Sequence, residues 1–182
     1  MQGVEKGVLQ CFKHPFAMIK EHYLNRACAY RFLLLGSFPS QASRKNGFFY
    51  GNPKNAFWRL LGEVFDQDLS LLQTVEEKIG WLDSQKIALY DLVESYEGDG
   101  WYSTDQALFK QGKNHQYSQK FIQSLLEKNP QIKICATSRK VQDLLWRYFG
   151  LKAEYLPSPS PINQTFAGQK RLQEWKKILK NS

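Results

Sequence analysis

Cysteine, histidine and methionine are scarce, at three, three and two among 182 residues. Cys11, Cys28 and Cys135 are odd in number and far apart, so neither a disulfide framework nor a paired-cysteine metal knuckle is encoded, and reduced thiols in a cytoplasmic protein are expected. A cysteine-ligated iron–sulfur cluster needs four thiolates and is excluded. His14, His22 and His115 have no partner at helical or strand-pair spacing, so no metal is expected, and nothing calls for another cofactor. Long apolar runs are missing too. FLLL (32–35) is far too short to cross a bilayer, and the amino terminus lacks the apolar stretch of a secretory signal, so no membrane association is expected. There is no GxSxG elbow and no GxxxxGK phosphate loop, which leaves a small-molecule hydrolase or transferase reading without a motif.

What is present suffices for one core. A chain of 182 residues with 42% hydrophobic content fits a single domain over 1–182, in which 1–30 form an amino-terminal extension, either a helix packed on the domain or an arm. Twenty-five Lys and Arg against seventeen Asp and Glu give a net charge of +8. That balance favours a polyanionic partner without identifying it. A monomer is expected.

Strand and helix signals alternate along the chain. RFLLL (31–35), IALYD (87–91), IKICA (132–136) and AEYL (153–156) read as short, largely apolar strands. Helical spacing appears from Ala56 (AFWRLLGEVF), over 74–84, from Tyr117 to the residue before Pro130, over 139–149 (RKVQDLLWRYF), and in the basic stretch AGQKRLQEWKKILK. Thr137 or Ser138 can cap the fourth of these, and Gly150 can end it. Four strands separated by helices predict a three-layer α/β/α sandwich on a four-stranded parallel sheet with right-handed crossovers. Ligand crevices in such sheets lie beyond the carboxyl ends of the strands, which selects the loops 36–55, 91–105, 137–139 and 157–163.

Those loops hold the unusual chemistry. Asn55 carries an amide that can donate and accept at the point where the chain enters a helix, so it can read a base edge or hold a water, or simply cap the helix. Phe48, Phe49 and Tyr50 lie between Gly47 and Gly51. Three adjacent aromatics are hard to bury together, so at least one ring is expected to face outward, where base stacking is worth roughly 1–3 kcal/mol; the competing role is to plug the core. In PSPSP (157–161) alternate prolines stiffen the backbone, and the serines offer hydroxyls and N–H groups to a phosphate. Ile162 beside them could enter a base stack as a wedge.

GSFPS (36–40), GFFYGNPKNAFW (47–58) and LPSPSPIN (156–163) together resemble the uracil-DNA glycosylase superfamily, most closely its hypoxanthine-DNA glycosylase branch. HPF (14–16) is similar to the lead-in which that branch carries before its first strand. The resemblance implies a monofunctional glycosylase that swings a deaminated or altered base out of damaged duplex or single-stranded DNA and leaves an abasic site. It places catalysis on Asn55. Backbone N–H groups around Gly36, Ser37 and Phe38 would stabilise the departing base, Phe48 or Phe49 would stack on it, and Thr137 and Ser138 could hydrogen-bond its edge. Ser40, Lys54, Ser158 and Ser160 would contact the DNA, with Ile162 and Asn163 filling the gap left in the duplex.

The departures are specific. Phe38 stands where other branches place Asp or Asn, and Leu156 where related branches place His. After the second strand the branch carries an Asp-xxx-Ser-Cys-x-Arg-x-Gly-Ser string, whereas DLVESYEGDGWYSTD keeps only Asp91 and Ser95 and then lengthens. ATSR replaces an Asn and Gly after the third strand. The rival to an enzyme is therefore a nucleic-acid-binding module on the same fold, weak or inactive in catalysis.

Overall fold

Strands that are apolar on both faces must be covered on both faces, and this requirement organises the chain. The computed structural model describes residues 8–26, 29–162 and 168–180. In order it contains β1 (Gln10–Lys13), α1 (Ile19–Asn25), β2 (Phe32–Gly36), α2 (Gln41–Lys45), α3 (Phe57–Phe65), a 3₁₀ turn (Leu69–Leu71), α4 (Val75–Ser84) and β3 (Ile87–Asp91). There follow β4 (Val93–Gly98), α5 (Asp105–Gln111), β5 (Lys113–Tyr117), α6 (Gln119–Lys128), β6 (Lys133–Ala136), α7 (Arg139–Phe149), β7 (Glu154–Tyr155) and α8 (Gln169–Leu179).

β3, β2, β6 and β7 form a four-stranded parallel sheet in that order, as expected. Every residue of β2 and β3 is buried. The chain steps from β2 outward to β3, then crosses back over β2 to reach β6. With right-handed crossovers this reversal puts α3 and α4 on one face and α6 and α7 on the other. Accordingly α3 packs against α8 and α1 against α6. Local signals fix the helix ends: Thr74 and Glu77 form a reciprocal capping box at α4, Ser138 caps α7 through the Val141 N–H, and Gly150 ends α7 at φ 63°.

A second sheet was not expected from the sequence. β1, β4 and β5 pair antiparallel in the order β1-β4-β5, so part of the loop expected over 91–105 is strand, and the helix expected from Tyr117 begins instead at Gln119. The reason is visible in the register: β4 slips against β5 between Val93 and Ser95 and again between Ser95 and Glu97. Each slip breaks the period-2 alternation by which a strand is read. A separate apolar cluster of Phe38, Val93, Tyr96, Tyr102 and Leu108 lies under this sheet.

The described part of the amino-terminal extension is anchored, with β1 in the small sheet and α1 on the sandwich. Buried Asp83 receives His22 Nε2 at 2.9 Å, the Tyr30 hydroxyl at 2.8 Å and an Arg26 guanidinium nitrogen at 3.1 Å. A carboxylate buried so deeply is tolerable because it is surrounded by donors.

Candidate functional site

The reversal of strand order falls between β2 and β6, so the crevice of this sheet opens beyond their carboxyl ends. Gly36 and Ser37 leave β2 there, and Thr137 and Ser138 leave β6. Thr137 N–H donates to the Leu35 carbonyl at 3.0 Å, and its hydroxyl reaches the same oxygen at 3.3 Å. The Ser37 and Phe38 N–H groups donate to nothing among the described residues. Two consecutive unpaired donors at a strand end suit an oxygen or anion.

Loop 47–58 arches over this end. Phe48 and Phe49 are 3% and 2% exposed, so the expectation that one of them faces a base is corrected: both are core. The chain achieves this by turning Tyr50 into the left-handed region at φ 51°, a costly conformation for a bulky residue. Tyr50 is held there from two sides. Its ring stacks on Phe57 at 3.9 Å between centroids and 7° between planes, and its hydroxyl meets Thr137 Oγ1 at 2.9 Å. Since the Thr137 hydroxyl is turned toward Leu35, Tyr50 donates in that contact. Burial, and then the Asp91 charge, push its ionisation far above the ordinary phenol range, which keeps the proton in place.

Asn55 is half-buried, and its Oδ1 accepts the Phe57 N–H at 2.9 Å. Although Ala56 is the N-cap of α3, this bond lets Asn55 brace the start of the helix from the residue before it. It also fixes the side chain, and Nδ2 has no partner among the described residues. The next residue joins the two signature loops: Ala56 N–H donates to the Pro159 carbonyl at 3.0 Å. Pro157 and Pro159 are buried, and Trp175 on α8 donates its indole N–H to the Pro157 carbonyl at 3.0 Å. Ser158 Oγ accepts the Ser160 N–H at 3.3 Å and Ser160 Oγ the Ile162 N–H at 3.4 Å. These turns lift the end of the segment outward, where Ile162 is 73% exposed.

The structure gives a place to two residues that the motifs contained without assigning them a role. Asp91 ends β3 with only 4% exposure, and His14, following β1, is 5% exposed. His14 Nε2 lies 3.0 Å from Asp91 Oδ2, while Nδ1 accepts the Phe16 N–H at 3.1 Å. Asp91 Oδ1 lies against Gly36 so closely that a Cβ there would stand 2.2 Å from it and 2.9 Å from the Tyr50 hydroxyl oxygen. A glycine is required at position 36 for this reason. The sequence did carry a signal: a carboxylate closing the apolar strand IALYD must find a buried donor.

Other expected site residues are dispersed. Phe38 is buried in the second cluster rather than lining the crevice. Ser40 caps α2 through the Ser43 N–H, and Ser138 caps α7. Lys54 is exposed, and Asn163 lies outside the described residues. Loop 99–104 braces the first loop, with Trp101 Nε1 donating to the Pro39 carbonyl at 2.8 Å and Arg44 stacked over the Trp101 ring at 4.6 Å. A concavity of about 840 Å³ lies elsewhere, between α7 and the β7 edge by Trp146 and Lys152. Arg139 lines it, but none of the expected site residues do.

Comparison with known proteins agrees with this arrangement. A sequence model of the Uracil DNA glycosylase superfamily matches residues 25–181. A Hypoxanthine DNA glycosylase of Methanosarcina acetivorans is 31% identical over 152 residues, 82% of this chain and 90% of that protein. One of Methanosarcina barkeri is 35% identical over 68 residues, 37% of this chain and 42% of its own length. A solution NMR structure from Methanosarcina acetivorans, described as a candidate uracil DNA glycosylase, superposes with a TM-score of 0.65 at 31% identity, covering 84% of this chain and 90% of that one.

Proposed function

Since this chain belongs to the uracil DNA glycosylase superfamily, we propose that it is a monofunctional DNA glycosylase that removes a deaminated base of hypoxanthine or uracil type. The observation that carries the reading is the junction of the two signature loops, where the Ala56 N–H to Pro159 carbonyl bond sets Asn55 beside the proline-stiffened segment. One extruded nucleotide can be held between them, its phosphates by Ser158, Ser160, Ser40 and Lys54, and its vacated place in the duplex by Ile162. Extrusion costs a few kcal/mol, least for a mispaired base. A segment already stiffened by three prolines loses little further entropy on binding.

The reaction breaks the bond between C1′ of deoxyribose and the base nitrogen. Its electron pair leaves with the base, water adds to C1′, and a proton is released. The unpaired Ser37 and Phe38 N–H groups, aimed where negative charge grows on the base, lower that barrier as preorganised donors. Asn55, fixed by the Phe57 N–H, orients water or the base through Nδ2 and the remaining lone pair of Oδ1. The protein acts as a cytoplasmic monomer, with no metal or cofactor in these steps.

Two variants separate chemistry from capping. Asn55→Ala removes both functions, whereas Asn55→Ser keeps an oxygen that can cap α3 but has no amide. In single-turnover assays on duplexes bearing hypoxanthine, uracil or xanthine, with abasic sites cleaved by alkali, both variants are expected to lose at least 100-fold while still binding DNA. Wild-type rates in Asn55→Ser would overturn the assignment. The use of Oδ1 as a cap favours one second reading, a DNA-binding module without chemistry; salt-sensitive binding by a wild-type protein that excises no base would establish it.

A further inference from the structure

His14 lies outside the stretch, 25–181, that matches the superfamily model, yet it touches the deepest carboxylate of the crevice. Its two nitrogens have separate tasks. Because Nδ1 accepts the Phe16 N–H, the neutral ring carries its hydrogen on Nε2 and donates it to Asp91 Oδ2. The imidazole is clamped in turn by surrounding rings, with Tyr90 at 4.5 Å, Phe49 at 5.6 Å and Phe38 at 5.7 Å between centroids. Asp91 is thereby fixed at one oxygen, and Oδ1, which accepts no hydrogen bond among the described residues, is left against Gly36. The residue after Gly36 contributes the unpaired Ser37 N–H.

A free acceptor beside a free donor is a code. Deaminated bases carry a lactam, an N–H next to a C=O, whereas adenine and cytosine present a bare ring nitrogen beside an amino group. The lactam satisfies Asp91 Oδ1 and the Ser37 N–H together; the amino bases would set a lone pair against the carboxylate and an N–H against an N–H. We propose that His14 is a positioning residue which, by holding Asp91 Oδ2, aims Oδ1 at the lactam N–H and so sets selectivity for lactam-bearing bases, hypoxanthine and uracil along with guanine and thymine, over adenine and cytosine. This rests on the glycosylase reading above.

The test measures a ratio. Single-turnover excision is compared for two duplexes of one sequence, one carrying hypoxanthine and the other unsubstituted purine, which has the same rings without the lactam. In His14→Ala the hypoxanthine rate is expected to fall about 10- to 100-fold, as for loss of a bidentate base contact. The purine rate and the affinity for abasic-site DNA should stay within a few-fold. His14→Gln, which can still donate to Asp91, is expected to recover most of the ratio, and thermal melts of both variants report folding. A merely structural histidine would lower both rates together; that result, or an unchanged ratio, overturns the inference while leaving the glycosylase reading intact. A wild-type protein that excises no base at all refutes the glycosylase reading, and this inference with it.

Discussion

Gly36→Ala is the most direct probe of the crevice. The added methyl would stand 2.2 Å from Asp91 Oδ1 and 2.9 Å from the Tyr50 hydroxyl oxygen, where ordinary contacts begin at 3.4 Å. The carboxylate oxygen has to retreat by about 1 Å, a distance comparable with the looseness that cripples a positioned site. It has little room. Asp91 is 4% exposed, its backbone pairs with Gly36 in the sheet, and Oδ2 is held by a histidine that is itself pinned by the Phe16 N–H.

Two limits bound the cost. If the carboxylate shifts with its histidine, the penalty is that of overpacking, about 1–3 kcal/mol. If the pair breaks and leaves a buried charge unpaired, it is about 3–5 kcal/mol. Conformation works the other way, because Gly36 does not have a positive φ and alanine in a strand is worth about 0.5–1 kcal/mol over glycine. The net expectation is a loss of about 1–3 kcal/mol in urea unfolding and a fall of about 100-fold in single-turnover excision. The decisive assay is a double-mutant cycle with Asp91→Ala, which removes the obstructing oxygen. The same methyl should then cost less than about 1 kcal/mol. A cost equal in both backgrounds, or no cost in either, refutes the proposed crowding at Gly36.

Two further outcomes are expected. Tyr23 is 1% exposed and, among the described residues, its hydroxyl oxygen makes no well-formed hydrogen bond, only a weak approach to the Leu89 backbone; Tyr23→Phe should leave stability unchanged or raise it by up to about 1 kcal/mol in urea unfolding. Burial, and then the Glu154 charge, push the Cys135 thiol up to about 12, so at pH 8.5 native protein should be alkylated at exposed Cys11 but not at Cys135, as peptide mapping would report. The sign for stability follows: below the ordinary thiol range Cys135 is protonated in both states, and as pH rises above it the unfolded chain ionises first, so this contribution declines with pH and is lost as pH passes through the folded value. The urea midpoint should therefore fall between pH 8 and pH 10.5.

The parts of this fold that could be read from sequence are those whose side chains obey one rule along their length. β3 (Ile87–Asp91) and α7 (Arg139–Phe149) coincide with their expected bounds, β6 differs from its own by one residue at one end, and β2 and β7 by one residue at each end. An uninterrupted apolar run and an uninterrupted helical stripe each specify a single environment. β4 obeyed no single rule, because its two slips against β5 alternate the faces it shows to the small core. β1, at the edge of that sheet, is mostly exposed and had no apolar pattern to offer.

The crevice divides along a similar line. Its side of the sheet could be read, because parallel strands send all their carboxyl ends to one edge, whereas the strand order that narrows it to β2 and β6 came only with the fold. Its contents could be read only where they lay in one motif. Asn55 and Pro159 were separately visible, whereas the His14–Asp91 pair joins residues 77 positions apart, and no local pattern predicts a pairing at that range. The aromatic triplet held in general and failed in assignment. The three neighbouring rings are not all buried, but the one left half-buried is Tyr50, turned by a left-handed backbone, and not Phe48 or Phe49. The strain there is offset by the Phe57 stack and the Thr137 contact, which brings the hydroxyl oxygen alongside Gly36 and Asp91. The left-handed backbone at Tyr50 is thus what builds the crevice wall. A strained residue so placed is where stability and function are expected to pull in opposite directions.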